Sequence, residues 1–136
     1  MYAIFEHTAD LGIRVRAATL GDLMADAARG LFTVIAGDLA QVATVVERTF
    51  AVPGTDPAWL LYDWTSELLA AFDVERLLLC EFAVTVDEGG LRATARGERF
   101  DPARHTLDHE VKAVTQHLLD VRRGPGGWEA EFIVDV

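Results

Sequence analysis

Leu11-Gly12-Ile13-Arg14-Val15-Arg16-Ala17-Ala18-Thr19-Leu20-Gly21-Asp22-Leu23-Met24 changes its hydrophobic period part-way along. From Leu11 to Ala17 apolar residues alternate with Gly12, Arg14 and Arg16, the period of a half-buried strand. From Leu20 onward the apolar residues Leu23, Met24, Ala27, Ala28 and Leu31 recur at helical spacing, which predicts an amphipathic helix over 20–36. Thr19 stands where an N-cap belongs, Asp22 places an acid in the first turn, and Gly37-Asp38 ends the pattern. A one-faced strand running into a one-faced helix requires that the two pack together.

Working outward, Tyr2 to Phe5 reads as a short strand and Val42 to Val52, rich in Val, Thr and Phe, as a longer one. Pro53-Gly54-Thr55-Asp56-Pro57 is a turn that opens a second helix, capped by Thr55 or Asp56 and running to about Phe72. Trp59 and Trp64 on that helix are assigned to the core. Val84 to Val86 and Leu91 to Arg96 flank Asp87-Glu88-Gly89-Gly90 as a hairpin. A final hairpin joins a strand over 112–122 to one over 128–136 through Arg123-Gly124-Pro125-Gly126-Gly127. The sum is an α+β two-layer sandwich: a mostly antiparallel or mixed sheet of about six strands with two long helices on one face. Residues 1–136 read as one domain, without repeat or linker.

Composition narrows the function. The chain holds 12 Lys and Arg against 22 Asp and Glu, a net charge of −10. Binding to a nucleic-acid backbone needs cations to neutralise phosphates, so strong direct binding of RNA or DNA is disfavoured, and a metal or a basic protein partner suits the chain better. The single cysteine, Cys80, excludes an internal disulfide and reads as a buried thiol. No signal peptide and no apolar run of membrane-spanning length is present, so a soluble, cytoplasmic protein is expected.

Two acidic residues interrupt apolar strand patterns near opposite ends. Asp10 lies in Glu6-His7-Thr8-Ala9-Asp10-Leu11-Gly12-Ile13, and Asp135 in Phe132-Ile133-Val134-Asp135-Val136. Their carboxylates, with the main-chain carboxylate of the last residue, would make an oxygen-rich pocket of the kind that Ca²⁺ or Mg²⁺ takes. The sequence by itself does not bring residues 10 and 135 together, and Asp10 also reads as the cap of the next turn.

Gly97-Glu98-Arg99-Phe100-Asp101 and Glu110-Val111-Lys112-Ala113-Val114-Thr115-Gln116-His117 lie between those ends. With them, in this order and over the whole length, the chain resembles the archease family; the helix segment around Tyr62-Asp63-Trp64-Thr65-Ser66-Glu67-Leu68-Leu69 is similar too. The resemblance implies a metal held by Asp10, Asp135 and the main chain of Val136, with Ca favoured over Mg. It implies an accessory protein of a GTP-dependent RNA ligase, promoting guanylylation and multiple turnover in tRNA splicing and RNA repair. Gln116 replaces a usual aromatic and Ser66 a common Asn, positions away from these ligands.

Other polar residues are weighed against bland roles. His7 is a candidate hydrogen-bond partner of a ligand carboxylate or a partner contact, or a loop histidine satisfied by backbone. Glu98 and Asp101 add charge to the pocket or contact a partner, or form a solvated turn at Asp101-Pro102. His105 and His109 are spaced like a zinc pair, but no Glu of H-E-x-x-H lies between them. Lys112, the only lysine, suits a salt bridge or partner contact better than catalysis. His117, placed at a strand start, is a structural or interfacial candidate, and Glu67, on the second helix, is a solvated acid or a pocket or interface residue. No P-loop, dinucleotide fingerprint, G-x-S-x-G or Cys/His frame occurs, so a self-contained active site is not expected. Two other readings compete: a chaperone-like modulator of a tRNA methyltransferase, and a small metal-dependent phosphohydrolase.

Overall fold

The computed structural model describes residues 1–7 and 10–136, His7 by its backbone alone. The chain turns from strand to helix where the hydrophobic period changes. Strand β2 spans Asp10–Ala17 and helix α1 spans Leu20–Ala36. Thr19 caps α1, its side chain accepting from the Asp22 N–H at 3.1 Å, and the Gly37 N–H closes the other end on the Thr33 carbonyl at 2.8 Å. The remaining elements are β1 (Tyr2–His7), β3 (Val46–Val52), α2 (Pro57–Glu75), β4 (Leu77–Asp87), β5 (Gly90–Arg99), β6 (Ala113–Val114), β7 (Asp120–Gly124) and β8 (Gly127–Asp135).

Among the described residues the fold is α+β with two long helices, and eight strands pair antiparallel in two sheets. One sheet runs β1-β2-β8-β6, with β7 also on β8; the other runs β3-β5-β4. Both helices touch both sheets, and residues from all of these elements share one buried cluster. Helix α1 crosses the outer edge of β4 so closely that a Cβ on Gly21 would sit 2.6 Å from the Val84 carbonyl oxygen. A helix covering an otherwise open sheet edge removes a site of unwanted strand pairing. The Trp64 indole N–H donates to the Met24 carbonyl at 2.9 Å and ties α2 to α1 inside the core.

Four local expectations change. Residues 39–41 form a 3-10 turn capped by Asp38, so β3 starts only at Val46. The strand expected over 112–122 divides into β6 and β7 at a turn in which Leu118 takes φ 56°. Cys80 sits at an irregularity in β4, partly exposed, its Sγ 3.6 Å from the Val42 carbonyl oxygen; burial, then Glu81 and Glu98, push the thiol pKa up. Helix α2 runs three residues past Phe72 to Glu75 before ending at Arg76 in the left-handed region. The Arg76 guanidinium lies over the rings of Phe72 and Phe100, at 4.3 and 5.4 Å from their centroids. Those cation–π contacts favour an arginine where glycine is the usual helix terminator.

Candidate functional site

The antiparallel register of β2 and β8 sets Asp10 directly opposite Asp135. The same row continues to His7 on one side and Ala113 on the other. Directly paired residues of an antiparallel ladder point to one face, with Cβ atoms about 4.5–5.5 Å apart. Phe132 and Val134 of β8 face the core, so Asp135 and Asp10 share the opposite face. Two residues that lie 125 positions apart in the sequence thus become cross-strand neighbours at the end of a sheet.

The adjoining row on that face is apolar. It holds Phe5, Gly12 and Ile133, and Ile133 is only 1% exposed. A Cβ on Gly12 would lie 2.1 Å from the Phe5 ring, so only glycine lets that ring lie flat across β2. Arg14 covers the ring at 4.7 Å and is held by Glu131 at 2.6 Å. The carboxylate pair therefore has a fixed apolar shelf on one side.

Among the described residues no Lys, Arg or His lies within ion-pair distance of Asp10 or Asp135, and no N–H donates to either side chain. Like charges directly opposite on a sheet are destabilising. The Asp135 carbonyl is already engaged, accepting from the Lys112 N–H at 2.8 Å, while the main-chain oxygens of Val136 accept nothing from the described residues. Two carboxylates and an unengaged main-chain oxygen are a donor set suited to a hard cation. No group of three or more His, Cys, Asp or Glu side chains with metal-binding geometry occurs among the described residues, so water would complete the shell.

The other candidates separate from this pair. The His7 backbone lies in the row, but its side chain, with Thr8 and Ala9, falls outside the described residues. Lys112 joins the row through its backbone, and its ammonium forms no ion pair with the described residues. His117 lies in the turn after β6 rather than at a strand start, its N–H donating to Thr115 Oγ1 at 3.3 Å.

Glu98 belongs to a different structure. Its side chain is 8% exposed and accepts from the Ala43 N–H at 2.5 Å, from His105 Nε2 at 3.0 Å and from both Arg104 terminal nitrogens. His105 Nδ1 accepts from the Asp101 N–H at 2.9 Å, which leaves Nε2 to carry the proton that Glu98 receives. Asp101 closes a tight turn, its Oδ1 accepting from the Ala103 N–H at 2.9 Å. The Arg104 guanidinium does most to lower the Glu98 carboxyl; burial opposes it, and Ala43 and His105 add to it, leaving the group at about 2. These acids and His105 build a loop anchor. Arg104, which completes it, carries no motif signal, since the loop has no periodicity to mark a pairing six residues back.

Helix α2 holds a second departure. Trp59 is 49% exposed and packs edge-on to Tyr62, with ring centroids 5.8 Å apart, instead of joining Trp64 in the core. Glu67 is exposed on the same helix; partial burial, then the charge of Asp63 one turn earlier, raise its pKa. A groove of about 1120 Å³ between α1 and the three-stranded sheet is lined in part by Arg16, Arg29 and Arg92. Each of these is paired with a carboxylate, so the groove presents little free positive charge to an anion.

Residues 2–136 match the sequence model of the Archease protein family (MTH1598/TM1083). The protein archease of Methanopyrus kandleri is 42% identical over 135 residues, covering 96% of each chain. That of Pyrococcus furiosus is 38% identical over 137 residues, covering 97% of this chain and 96% of its own. In three dimensions the chain resembles protein 1598 of Methanobacterium thermoautotrophicum, with TM-score 0.80, 30% identity and coverage of 99% and 98%. It also has the fold of an archease of Thermotoga maritima described as a possible chaperone, with TM-score 0.70, 19% identity and coverage of 100% and 98%.

Proposed function

The chain belongs to the archease family, and we propose on that premise that it is a cytoplasmic, metal-binding accessory protein that activates a GTP-dependent RNA ligase. The observation that supports this most is the register of Asp10 against Asp135 at the end of the sheet, with no cation among the described residues to neutralise them. Asp10, Asp135 and the main chain of Val136 would hold a divalent cation, Ca²⁺ in preference to Mg²⁺. When bound, the cation supplies the positive charge that lets this acidic end approach a nucleotide phosphate, which bare carboxylates repel.

The chain's own residues do the rest. The β2–β8 ladder fixes the spacing of the two carboxylates, and the apolar Phe5–Ile133 shelf bounds one side of them. Lys112, tethered to Asp135 through its backbone and forming no ion pair with the described residues, offers its ammonium to an acidic or phosphate group of the partner. The activity belongs to the ligase: the chain promotes guanylylation and successive turnovers without cutting or joining RNA itself.

The test is guanylylation of the same organism's ligase with GTP, alone, with this chain, and with its Asp10→Ala or Asp135→Ala form. Acceleration by the parent chain and none by folded variants is expected. Full stimulation by either variant rejects the acidic pair as the site. A chaperone-like role for a tRNA methyltransferase predicts instead that partner binding survives chelation, whereas the proposed role predicts that stimulation is lost with the metal.

A further inference from the structure

Helix α2 carries charge that neither the fold nor the proposed metal site uses. Pro57–Glu75 contains Asp63, Glu67, Asp73 and Glu75 and no Lys, Arg or His. Glu75 is paired with Arg48 at 3.0 Å, but Asp63, Glu67 and Asp73 meet no cation among the described residues. Asp63 and Glu67 are one helical turn apart, a spacing at which like charges weaken a helix. Asp73 lies in the last turn, where the helix dipole disfavours an acid. These placements work against the helix.

The same stripe is partly apolar. Trp59, Asp63, Ala70 and Val74 fall within one side of the helical wheel, and all are exposed, Trp59 by 49% and Val74 by 81%. Between α2 and the turn after β3 lies a notch of about 360 Å³ bordered by Val52, Pro53, Ala70, Asp63 and Glu67. An apolar floor with two carboxylates at its rim fits the stem and head of a long basic side chain. The Trp59 face, one turn away, fits a second cation.

We infer that the exposed stripe of α2 around Trp59, Asp63 and Glu67 is a docking surface for an arginine- or lysine-bearing helix of a partner protein. Charge complementarity selects the occupant. A nucleic acid or an anionic lipid would be repelled by the stripe, and a neutral apolar helix would leave Asp63 and Glu67 unneutralised against it. The surface is distinct from the Asp10–Asp135 row, and the inference does not rest on the ligase reading.

The probe is a synthetic helical peptide with arginine at every fourth position and alanine elsewhere, titrated into the ¹⁵N-labelled full chain. Amide shifts should gather on residues 56–74 and on Val52 and Gly54. Trp59→Ala, and the pair Asp63→Asn with Glu67→Gln, should each weaken binding about fivefold or more, from the loss of a cation–π contact or of exposed ion pairs. Glu88→Gln with Glu110→Gln removes the same charge elsewhere, and Asp10→Ala removes the proposed metal ligand; both should leave binding within about twofold. Shifts spread over the whole acidic surface, equal weakening by the control pair, or unchanged binding by Trp59→Ala would overturn the inference. So would self-association of the free chain through the same residues.

Discussion

The Glu98 anchor and the Asp10–Asp135 row both hold carboxylate charge, and they treat it in opposite ways. At Glu98 every feature serves to stabilise one buried anion: an arginine fork, a histidine with a fixed tautomer and a backbone N–H converge on it. At Asp10 and Asp135 the register forces two anions together, and no described residue neutralises them. A satisfied acid deep in a loop anchor is an investment in the fold. An unsatisfied pair on a rigid sheet end weakens the fold, and such a cost persists where something outside the chain repays it.

The largest effect should come from the satisfied site. Glu98→Ala leaves the Ala43 N–H and the buried His105 ring without their acceptor, and urea unfolding should show a loss of about 3–5 kcal/mol, from donors left unsatisfied at about 1–3 kcal/mol each and the side chain's lost packing. A loss below about 1 kcal/mol would mean the anchor is dispensable and would remove half of the comparison. The same site gives a pH signature. The folded carboxyl is held at about 2, below the roughly 4.3 of an unfolded glutamate. Its contribution is therefore fully present above the unfolded value and is lost as pH falls toward about 2. Glu98→Gln should flatten the fall in stability across that acidic window. Persistence of the full slope would assign it to other groups.

The next effect belongs to the open site. Ca²⁺ or Mg²⁺ at about one hundred times its dissociation constant should raise stability by about 2.7 kcal/mol, as any ligand specific to the folded state does. The Asp10→Asn, Asp135→Asn double variant should show none of this gain. Glu98→Gln should keep the gain even though its starting stability is lower. Equal metal stabilisation of the parent chain and the aspartate double variant would place the cation elsewhere on the acidic surface.

The two sites also differ in how far the sequence exposes them. Asp10 and Asp135 each break an apolar strand pattern, so their oddity is visible without a structure. Their meeting is not, because strand pairing between residues 10 and 135 is a long-range event that periodicity cannot report. The Glu98 anchor was hidden in another way. It joins Ala43, Arg104 and His105 across loops, where neither period 2 nor period 3.6 applies, and a Glu beside an Asp-Pro turn reads as solvated. The elements themselves were largely legible: the α1 cap at Thr19 and the hairpin at Gly89-Gly90 lie where local chemistry puts them. The undivided strand over 112–122 misreads an apolar pattern that a turn at Leu118 interrupts. Trp59 misleads because a large aromatic suggests the core, while its place on the helix is about half a turn from Leu68, and its ring stays outside.

The smallest effect is the most discriminating, because it has an unusual sign. Most substitutions destabilise. In the absence of divalent cations, Asp10→Asn should stabilise the protein, since it removes one of two like charges directly opposite on a ladder and leaves a side chain of nearly the same shape. The gain should be about 0.2–1 kcal/mol, the scale of a cross-strand pair. Asp135→Asn should give the same gain, and the double variant should add little to either single one, because one neutralisation already ends the repulsion. With saturating Ca²⁺ the sign should reverse, the parent chain becoming the more stable. Chemical denaturation of the four proteins, in chelator and in Ca²⁺, reads both halves. If the single variants lose stability in chelator, the two carboxylates are making favourable contacts within the chain, and the open site is of the same kind as the Glu98 anchor.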